Sequence, residues 1–187
     1  LHKRILDENL AIQGTIAEQI IQATHLPVLV VKNKPNGAYG SVIVGVDFSA
    51  YSRAAVRSAA RIAPSSDMHL VHAYGPDAAS RSGTQGTSPG ARSATAQQAR
   101  LASFVEEEML ALKTSTGVGR STLNRVHQVS QPGEPHTVLK DQARQLHAEL
   151  IVMGTHGRIG VARSILGSVT TELLNDRLAD VLVIKPF

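Results

Sequence analysis

Short apolar runs alternate with stretches of helical periodicity along most of this 187-residue chain. The runs resemble strands that are buried on both faces of a sheet. They span residues 41–46, 68–74, 125–129, 150–153 and 181–184. Between them, apolar residues recur every three or four positions, which predicts amphipathic helices. The alternation predicts an α/β fold: a Rossmann-like, doubly wound sheet of five parallel strands in the order 3-2-1-4-5, with helices on both faces.

A repeat at an offset of 153 residues extends this pattern towards the N-terminus. Residues 14–32 and 167–185 align without a gap, with five identities in 19 columns. Each copy begins with Gly and a hydroxyl residue, continues as an amphipathic helix and ends in a β-branched strand. The agreement at matching structural positions indicates two copies of one helix-strand unit.

The offset is about the length of one domain, so the repeat predicts a tandem protein. We expect residues 1–37 to be the C-terminal helix and strand of a first domain whose beginning is absent, followed by a linker. Residues 38–187 should form a complete second domain. Strand 28–31 should pair with 181–184, because an unpaired apolar edge favours aggregation.

The middle of the second domain has a segment of different composition. Residues 75–93 are mostly Ser, Gly, Ala, Pro and Thr, which predicts a flexible loop. A plain insertion is favoured over a functional lid. A helix is predicted over 94–113, and its acidic run, Glu106 to Glu108, is expected to form a solvated face.

Glycines at defined spacing follow the fourth predicted strand of the second domain. Gly154 and Gly157 allow a tight turn and a close backbone approach to a phosphate. Gly167 and Ser168 open a helix, whose free N–H groups attract anions, and Arg158 supplies a positive charge. The glycines also suit an ordinary loop and helix cap, but the full spacing after a buried strand favours phosphate binding. The spacing matches neither a Walker loop nor the GxGxxG dinucleotide pattern.

Asp47 follows the first strand of the second domain directly. Strand order would reverse between this strand and the one ending at Gly154, and doubly wound folds bind ligands at such a reversal. Asp47 is therefore a candidate ligand for a ribose hydroxyl or for a phosphate-bound Mg²⁺. Its alternative role is to support the helix that starts near Ser49. His156 suits either ligand contact or solvent exposure.

Composition narrows the class of function. With a net charge of +4 and 3% aromatic residues, the chain lacks the basic runs and stacking platforms of nucleic-acid-binding proteins. It has no cysteine, and no apolar run is long enough to cross a membrane. The absence of a signal-like N-terminus in this sequence favours a cytoplasmic location. A small phosphorylated ligand remains the favoured partner.

The motifs VGVDFS, AELIVMG, VMGTHGRIG, LGSVTTELL and ADVLVIKP together resemble the universal stress protein family over residues 41–187. The glycine motif resembles the ATP-binding branch of that family, which implies ATP and Mg²⁺ as cofactors, with Asp47 as the metal ligand. The nucleotide contacts that the resemblance implies are Val46, Asp47 and Ala73 at adenine and ribose, Met153, Gly154 and Gly157 along the ribose-phosphate path, and Gly167, Ser168 and Val169 at the phosphates. Ala73 departs from the larger aliphatic residue common there.

The resemblance also implies a homodimer formed through the last strands, or the same pairing within a tandem chain. The first copy has Leu1 and Arg4 where the second has Gly154 and Gly157, so one nucleotide site per chain is expected. The leading interpretation is an ATP-dependent regulatory module of the stress response, with protein partners that the sequence does not identify. The alternatives are a slow ATPase or self-phosphorylating enzyme at the same site, and a dimerisation scaffold without nucleotide.

Overall fold

A mixed sheet with helices on both faces forms the body of the protein. The computed structural model describes residues 15–34, 36–75, 89–114, 125–155 and 166–185. The helices are α1 Ile16–Ala23, α2 Ala50–Ile62, α3 Pro89–Thr114, α4 Pro135–Gln145 and α5 Ser168–Asn175. The strands are β1 Val28–Val30, β2 Ser41–Gly45, β3 Asp67–Tyr74, β4 Val126–Pro132, β5 Leu150–Gly154 and β6 Asp180–Ile184.

The sheet contains six strands in the order β1-β6-β5-β2-β3-β4. Strands β2 to β6 are parallel, and β1 pairs with β6 antiparallel. The five parallel strands β2 to β6 follow the predicted order 3-2-1-4-5, but the prediction of five strands is wrong in detail because the N-terminal strand joins the same sheet as an antiparallel sixth member. The predicted pairing of this strand with the last strand is confirmed, with Leu29 opposite Leu182. Since β6 has a neighbour on each side, pairing of two chains through β6 would require β1 to leave.

Apolar side chains pack on both faces of the sheet. Val42 and Val44 of β2 belong to a core with α2 and α3, whereas Ile43 between them joins a second core with α4 and α5. This alternation follows from the two-residue period of a strand. It explains why the parallel strands read as continuous apolar runs rather than as alternating ones.

Local sequence sets where the helices begin. Ser49 is the N-cap of α2 and its side chain accepts from the backbone N–H of Ser52, as predicted. Pro135 occupies the first turn of α4, where a missing N–H costs nothing. Helix α3 begins at Pro89, so the end of the predicted 75–93 loop is helical. Residues 76–88 of that loop lie outside the described residues, and no described helix is long and apolar enough to span a bilayer.

The prediction that Glu106 to Glu108 form a solvated face of α3 is wrong for Glu108, which is 1% exposed. Its carboxylate accepts from the guanidinium groups of Arg53 at 2.6 Å and Arg57 at 3.0 Å, both on α2. A buried carboxylate needs such partners to offset its desolvation. The ion pairs join α2 to α3 beside the first turn of α2.

Candidate functional site

The carboxyl ends of β2 and β5 lie side by side where the strand order reverses. Strand β2 is flanked by β3 on one side and by β5 on the other, and all three are parallel. Val44 pairs with Val152, so Val46 and Asp47 follow β2 at about the level where β5 ends in Gly154. The structure thus brings these two predicted segments to one edge of the sheet, where crevices in doubly wound folds receive ligands.

The two ends of the glycine motif meet beyond β5. The Gly167 N–H donates to the Thr155 carbonyl at 3.0 Å, and the Thr170 hydroxyl donates to the Gly154 carbonyl at 3.2 Å. Gly154 and the Gly167-Ser168 pair, 13 residues apart in sequence, are therefore neighbours in space. Residues 156–165, which include the predicted site residues Gly157 and Arg158 and the candidate His156, lie outside the described residues.

The requirement for glycine at position 154 has a packing cause that the sequence did not reveal. A Cβ at Gly154 would lie 2.4 Å from the Cβ of Tyr51, in the first turns of α2. A Cβ at Gly167 would lie 3.1 Å from the Thr155 carbonyl oxygen. Both glycines therefore let chain segments approach closely at this edge, whatever further role they have towards a ligand.

The two carboxylate oxygens of Asp47 lie in different hydrogen-bonding environments. Oδ1 accepts from the backbone N–H of Ser49 at 3.0 Å and from its hydroxyl at 2.5 Å, so it supports the start of α2. Oδ2 is buried and has no hydrogen-bond partner among the described residues. A buried acceptor without a partner is costly, and such groups call for a structural or functional explanation. The helix-supporting role and a free acceptor thus coexist in one side chain.

The apolar side chains predicted to contact the nucleotide, at adenine or along the ribose-phosphate path, lie on two faces of the sheet. Val46 is buried in the core on the α2 side, whereas Met153 and the partly buried Ala73 belong to the α4–α5 side. The backbone of Val46 is also engaged, since its N–H donates to the Val71 carbonyl at 2.9 Å and its carbonyl contacts Nδ1 of His72 at 2.8 Å. A ligand on the α4–α5 side would meet Ala73 and Met153 rather than the Val46 side chain.

The start of α5 offers backbone donors without a side-chain cap. Its N-cap is Gly167, which makes no side-chain capping bond. The first intrahelical bond runs from Thr171 N–H to the Gly167 carbonyl, so the N–H groups of Ser168, Val169 and Thr170 precede it. These donors and the helix dipole create a positive end that suits an anion.

Helix α1, the equivalent helix of the first repeat copy, is capped differently. The Thr15 hydroxyl caps Glu18 N–H at 3.3 Å, and the Glu18 carboxylate accepts from the Thr15 backbone N–H at 2.6 Å. This reciprocal capping box supplies the α1 N-terminus with a negative charge from its own chain. Among the described residues, the start of α5 has no side-chain cap, whereas the start of α1 has one.

His72 is not among the predicted site residues, and it is buried at the end of β3. Its ring lies 4.3 Å from that of Phe48, which follows Asp47 with a positive φ of 65°. The Arg100 guanidinium lies over the Phe48 ring, 4.4 Å from its centre. In the alternation of β3, His72 points away from Ala73 and towards α3, where its Nε2 lies 3.3 Å from the Gln97 side-chain oxygen.

In the part of the chain that the structure describes, acidic and histidine side chains do not converge on a preformed metal centre. Within the described ranges, no three His, Asp or Glu side chains come close enough to hold an ion. A Mg²⁺ ion bound mainly through phosphate and water would not need such a cluster of protein ligands.

Comparisons with known proteins agree with the fold and the motifs. Residues 38–185 match the model of the family described as the universal stress protein family. Universal stress protein E of Escherichia coli (strain K12) is 35% identical over 78 residues, which cover 42% of this chain and 23% of that protein. The matched stretch thus spans about a quarter of the length of this relative.

Two solved structures illustrate the likeness in fold. A universal stress protein from Archaeoglobus fulgidus DSM 4304 has a TM-score of 0.64 at 20% identity, with 92% of this chain and 55% of that chain covered. A universal stress protein in complex with cAMP has a TM-score of 0.57 at 24% identity, with 80% of this chain and 99% of that chain covered. At these identities the structures show a common fold.

Proposed function

The chain belongs to the universal stress protein family, and from this premise we propose that it binds ATP with Mg²⁺ at the edge formed by β2, β5 and the start of α5. We further propose that the bound nucleotide makes the protein a regulatory module of the stress response. The observation that carries the proposal is the uncapped start of α5 beside the end of β5. The unpartnered Oδ2 of Asp47 adds an acceptor at the same edge of the sheet.

The phosphates are assigned to the start of α5. Ser168 is exposed and its hydroxyl can add a hydrogen bond to those of the backbone N–H groups of Ser168 and Val169. The capping box of α1 supports this assignment by contrast, because Glu18 already provides an anion there. Gly157 and Arg158 are assigned to the phosphates on their sequence positions alone.

The nucleoside is assigned to the ends of β2, β3 and β5. Oδ2 of Asp47 would accept a hydrogen bond from a ribose hydroxyl, or would bind Mg²⁺, while Oδ1 continues to support α2. Ala73 and Met153 provide apolar surface for the base on the α4–α5 side. When bound, Mg²⁺ would neutralise phosphate charge, and the protein residues would bind and orient the nucleotide.

A cyclic nucleotide is the second candidate, because a structurally similar universal stress protein was solved in complex with cAMP. Both ligands share adenine, ribose and a phosphate, so the same edge suits either. They differ in phosphate charge and in the 3′-hydroxyl, which is free in ATP and esterified in cAMP. Competition between the two therefore identifies the preferred ligand.

Isothermal titration calorimetry of the 187-residue chain with ATP, ADP and cAMP, each with and without Mg²⁺, tests the proposal. We expect ATP to bind most tightly and to bind more tightly with Mg²⁺. Asp47→Asn keeps an oxygen that can accept from Ser49 but removes the charge, and should weaken binding about tenfold or more. Asp67→Asn, at an exposed carboxylate at the start of β3, is the matched control and should leave affinity unchanged.

Failure of all three nucleotides to bind a folded protein would refute the proposed function. Preferential binding of cAMP would replace ATP with the second candidate. Following ATP to ADP over hours separates a binding protein from a slow ATPase. Mass spectrometry of the denatured protein after purification shows in addition whether a nucleotide is retained.

A further inference from the structure

Phe48, the residue directly after Asp47, has a backbone conformation that bulky residues rarely adopt. Its φ is 65°, and within the described ranges His147 is the one other non-glycine residue with a positive φ. A bulky side chain in this conformation persists only where the surrounding structure holds it, and such residues concentrate at ligand sites. The contacts that hold Phe48 therefore bear on the neighbouring Asp47.

The Phe48 ring is held by side chains of β3 and α3. Its centre lies 4.3 Å from that of the His72 ring and 5.5 Å from that of Phe104, which it meets edge to face. The Arg100 guanidinium lies 4.4 Å from the same ring centre, which is an attractive cation–π geometry. Phe104 is itself buried in the core between α2, α3 and the sheet. These ring contacts offset the cost of the positive φ.

The same imidazole also holds the residue on the other side of Asp47. Nδ1 of His72 lies 2.8 Å from the Val46 carbonyl oxygen, and it donates this bond because a carbonyl can only accept. The Val46 N–H is bound in turn to the Val71 carbonyl at 2.9 Å. Nε2 of His72 lies 3.3 Å from the Gln97 side-chain oxygen on α3. His72 is buried, so it is an internal link from α3 to both neighbours of Asp47.

This arrangement fixes Asp47 from both sides and leaves one acceptor for a ligand. Val46 before it and Phe48 after it both contact His72, while Oδ1 accepts from Ser49. Oδ2 is buried and has no hydrogen-bond partner among the described residues. An acceptor that is already held in place loses little conformational freedom when a ligand binds, so it binds more tightly than a mobile one.

We propose that Phe48 and His72 are positioning residues of the nucleotide site, which hold Asp47 so that Oδ2 meets the ribose hydroxyl or the phosphate-bound Mg²⁺. This inference rests on the proposed function. Phe48 packs on the α2–α3 side of the sheet, and His72 points to that side as well, whereas the base is assigned to the α4–α5 side. The two residues thus act through Asp47. Their loss should weaken the interaction of Oδ2 and spare those of the base and the phosphates.

Two affinity ratios, measured by isothermal titration calorimetry of the 187-residue chain, report the interaction of Oδ2. One compares ATP with 2′,3′-dideoxy-ATP, which lacks both ribose hydroxyls, in the presence of Mg²⁺. The other compares ATP with and without Mg²⁺. At least one ratio should be about tenfold in the wild type, because a hydrogen bond or ion contact to a carboxylate is lost from the weaker ligand. The ratio that falls most in Asp47→Asn identifies the partner of Oδ2, and we call it the Asp47 ratio.

Phe48→Gly and His72→Leu should each lower the Asp47 ratio at least about threefold, and should change the affinity for the weaker ligand less than about twofold. Glycine adopts a positive φ without strain, so Phe48→Gly removes the ring and keeps the chain path allowed. His72→Asn supplies an N–H close to the place of Nδ1, and should retain the ratio. Met68→Ala, a truncation of the same core at the other end of β3, is the matched control and should leave the ratio unchanged.

An unchanged Asp47 ratio in Phe48→Gly and His72→Leu would overturn the proposal. Equal weakening of both ligands would do so too, because it would assign the two side chains a structural role, as would a loss in Met68→Ala as large as theirs. The two variants change different elements, so either one that circular dichroism shows to be folded is sufficient. A wild type that binds no nucleotide would refute the proposed function and this inference with it, whereas unchanged ratios in a protein that binds ATP refute the inference alone.

Discussion

Replacement of Gly154 by alanine should destabilise the protein through α2, with or without a ligand. The new methyl group would lie 2.4 Å from the Cβ of Tyr51 and 3.3 Å from its backbone carbonyl carbon. Carbon atoms in favourable contact are about 3.5–4.0 Å apart, so the helix and the strand would have to separate by roughly 1 Å. Because these atoms are close to or in the backbone, a change of side-chain rotamer cannot relieve the contact.

Two effects of opposite sign set the size of the change. Overpacking of a well-packed site costs about 1–3 kcal/mol. Loss of backbone freedom in the unfolded chain favours alanine over glycine by about 0.4–1 kcal/mol. From the middle of each range, we expect Gly154→Ala to lower the free energy of unfolding by about 1.3 kcal/mol, which corresponds to a fall in Tm of about 3–5 °C for a chain of this size.

Gly45 provides a control on the neighbouring strand. A Cβ there would lie 3.5 Å from the nearest atom, Cδ1 of Leu139, which is an ordinary contact. Gly45→Ala should be neutral or stabilising by up to about 1 kcal/mol, since only the entropic term remains. Urea unfolding followed by circular dichroism measures both variants, and the midpoint should fall only for Gly154→Ala.

A double-mutant cycle separates the contact from other effects of the substitution. Tyr51→Gly removes the Cβ that the new methyl group meets, so Gly154→Ala should cost about 1 kcal/mol less in that background. Equal unfolding midpoints for Gly154→Ala and the wild type would refute the packing explanation. Additive effects of the two substitutions would do so as well, and would leave ligand approach as the reason for glycine at this position.

Two further predictions concern charged groups at the helix and strand contacts. Burial alone would raise the pKa of Asp180, but hydrogen bonds, above all the one from the Lys32 backbone N–H, outweigh burial and hold the pKa below its ordinary value. The Asp180 carboxylate should therefore contribute its full stabilisation above about pH 4, and this contribution should be lost as the pH falls further. Unfolding free energies of Asp180→Asn, measured against pH, should lack that loss. Arg57→Met should lower the free energy of unfolding by about 1–2 kcal/mol, because Arg53 still pairs with the buried Glu108. The double variant Arg53→Met/Arg57→Met should lower it by about 3–5 kcal/mol, because it leaves that carboxylate unpaired. Strictly additive effects of the two substitutions in urea unfolding would contradict this.

The strands and the seam between the two repeat copies could be predicted because their signals are local. Continuous apolar runs identified β2, β5 and β6, and the repeat in the sequence identified the partner of residues 28–30. The antiparallel register at Leu29 could not be predicted from the sequence, because it depends on how two segments that are distant along the chain pair with each other. A count of five strands was wrong because the first copy adds its strand to the same sheet.

The details that the sequence did not give arise from contacts between elements. Glu108 looked like part of a solvated acidic run, and its burial depends on arginines about 50 residues away on α2. The close approach of Tyr51 to Gly154 likewise involves a helix and a strand that are distant in sequence. For the site, the spacing of Gly154 and Gly167 predicted that both belong to one loop, but the different environments of the two Asp47 oxygens depend on contacts that spacing does not predict.

The ladder between β1 and β6 has a consequence for the order of folding. Its pairs join residues about 150 positions apart, as in the bond from Lys32 N–H to Asp180, whose sequence separation is 148. Closing so long a loop has an entropic cost, and only the contacts of a three-residue strand and one short helix offset it. This ladder should therefore form late in folding. Unfolding should begin there for the same reason. The N-terminal segment would then open and close on a sheet that stays folded, as a separate cooperative unit in native-state hydrogen exchange.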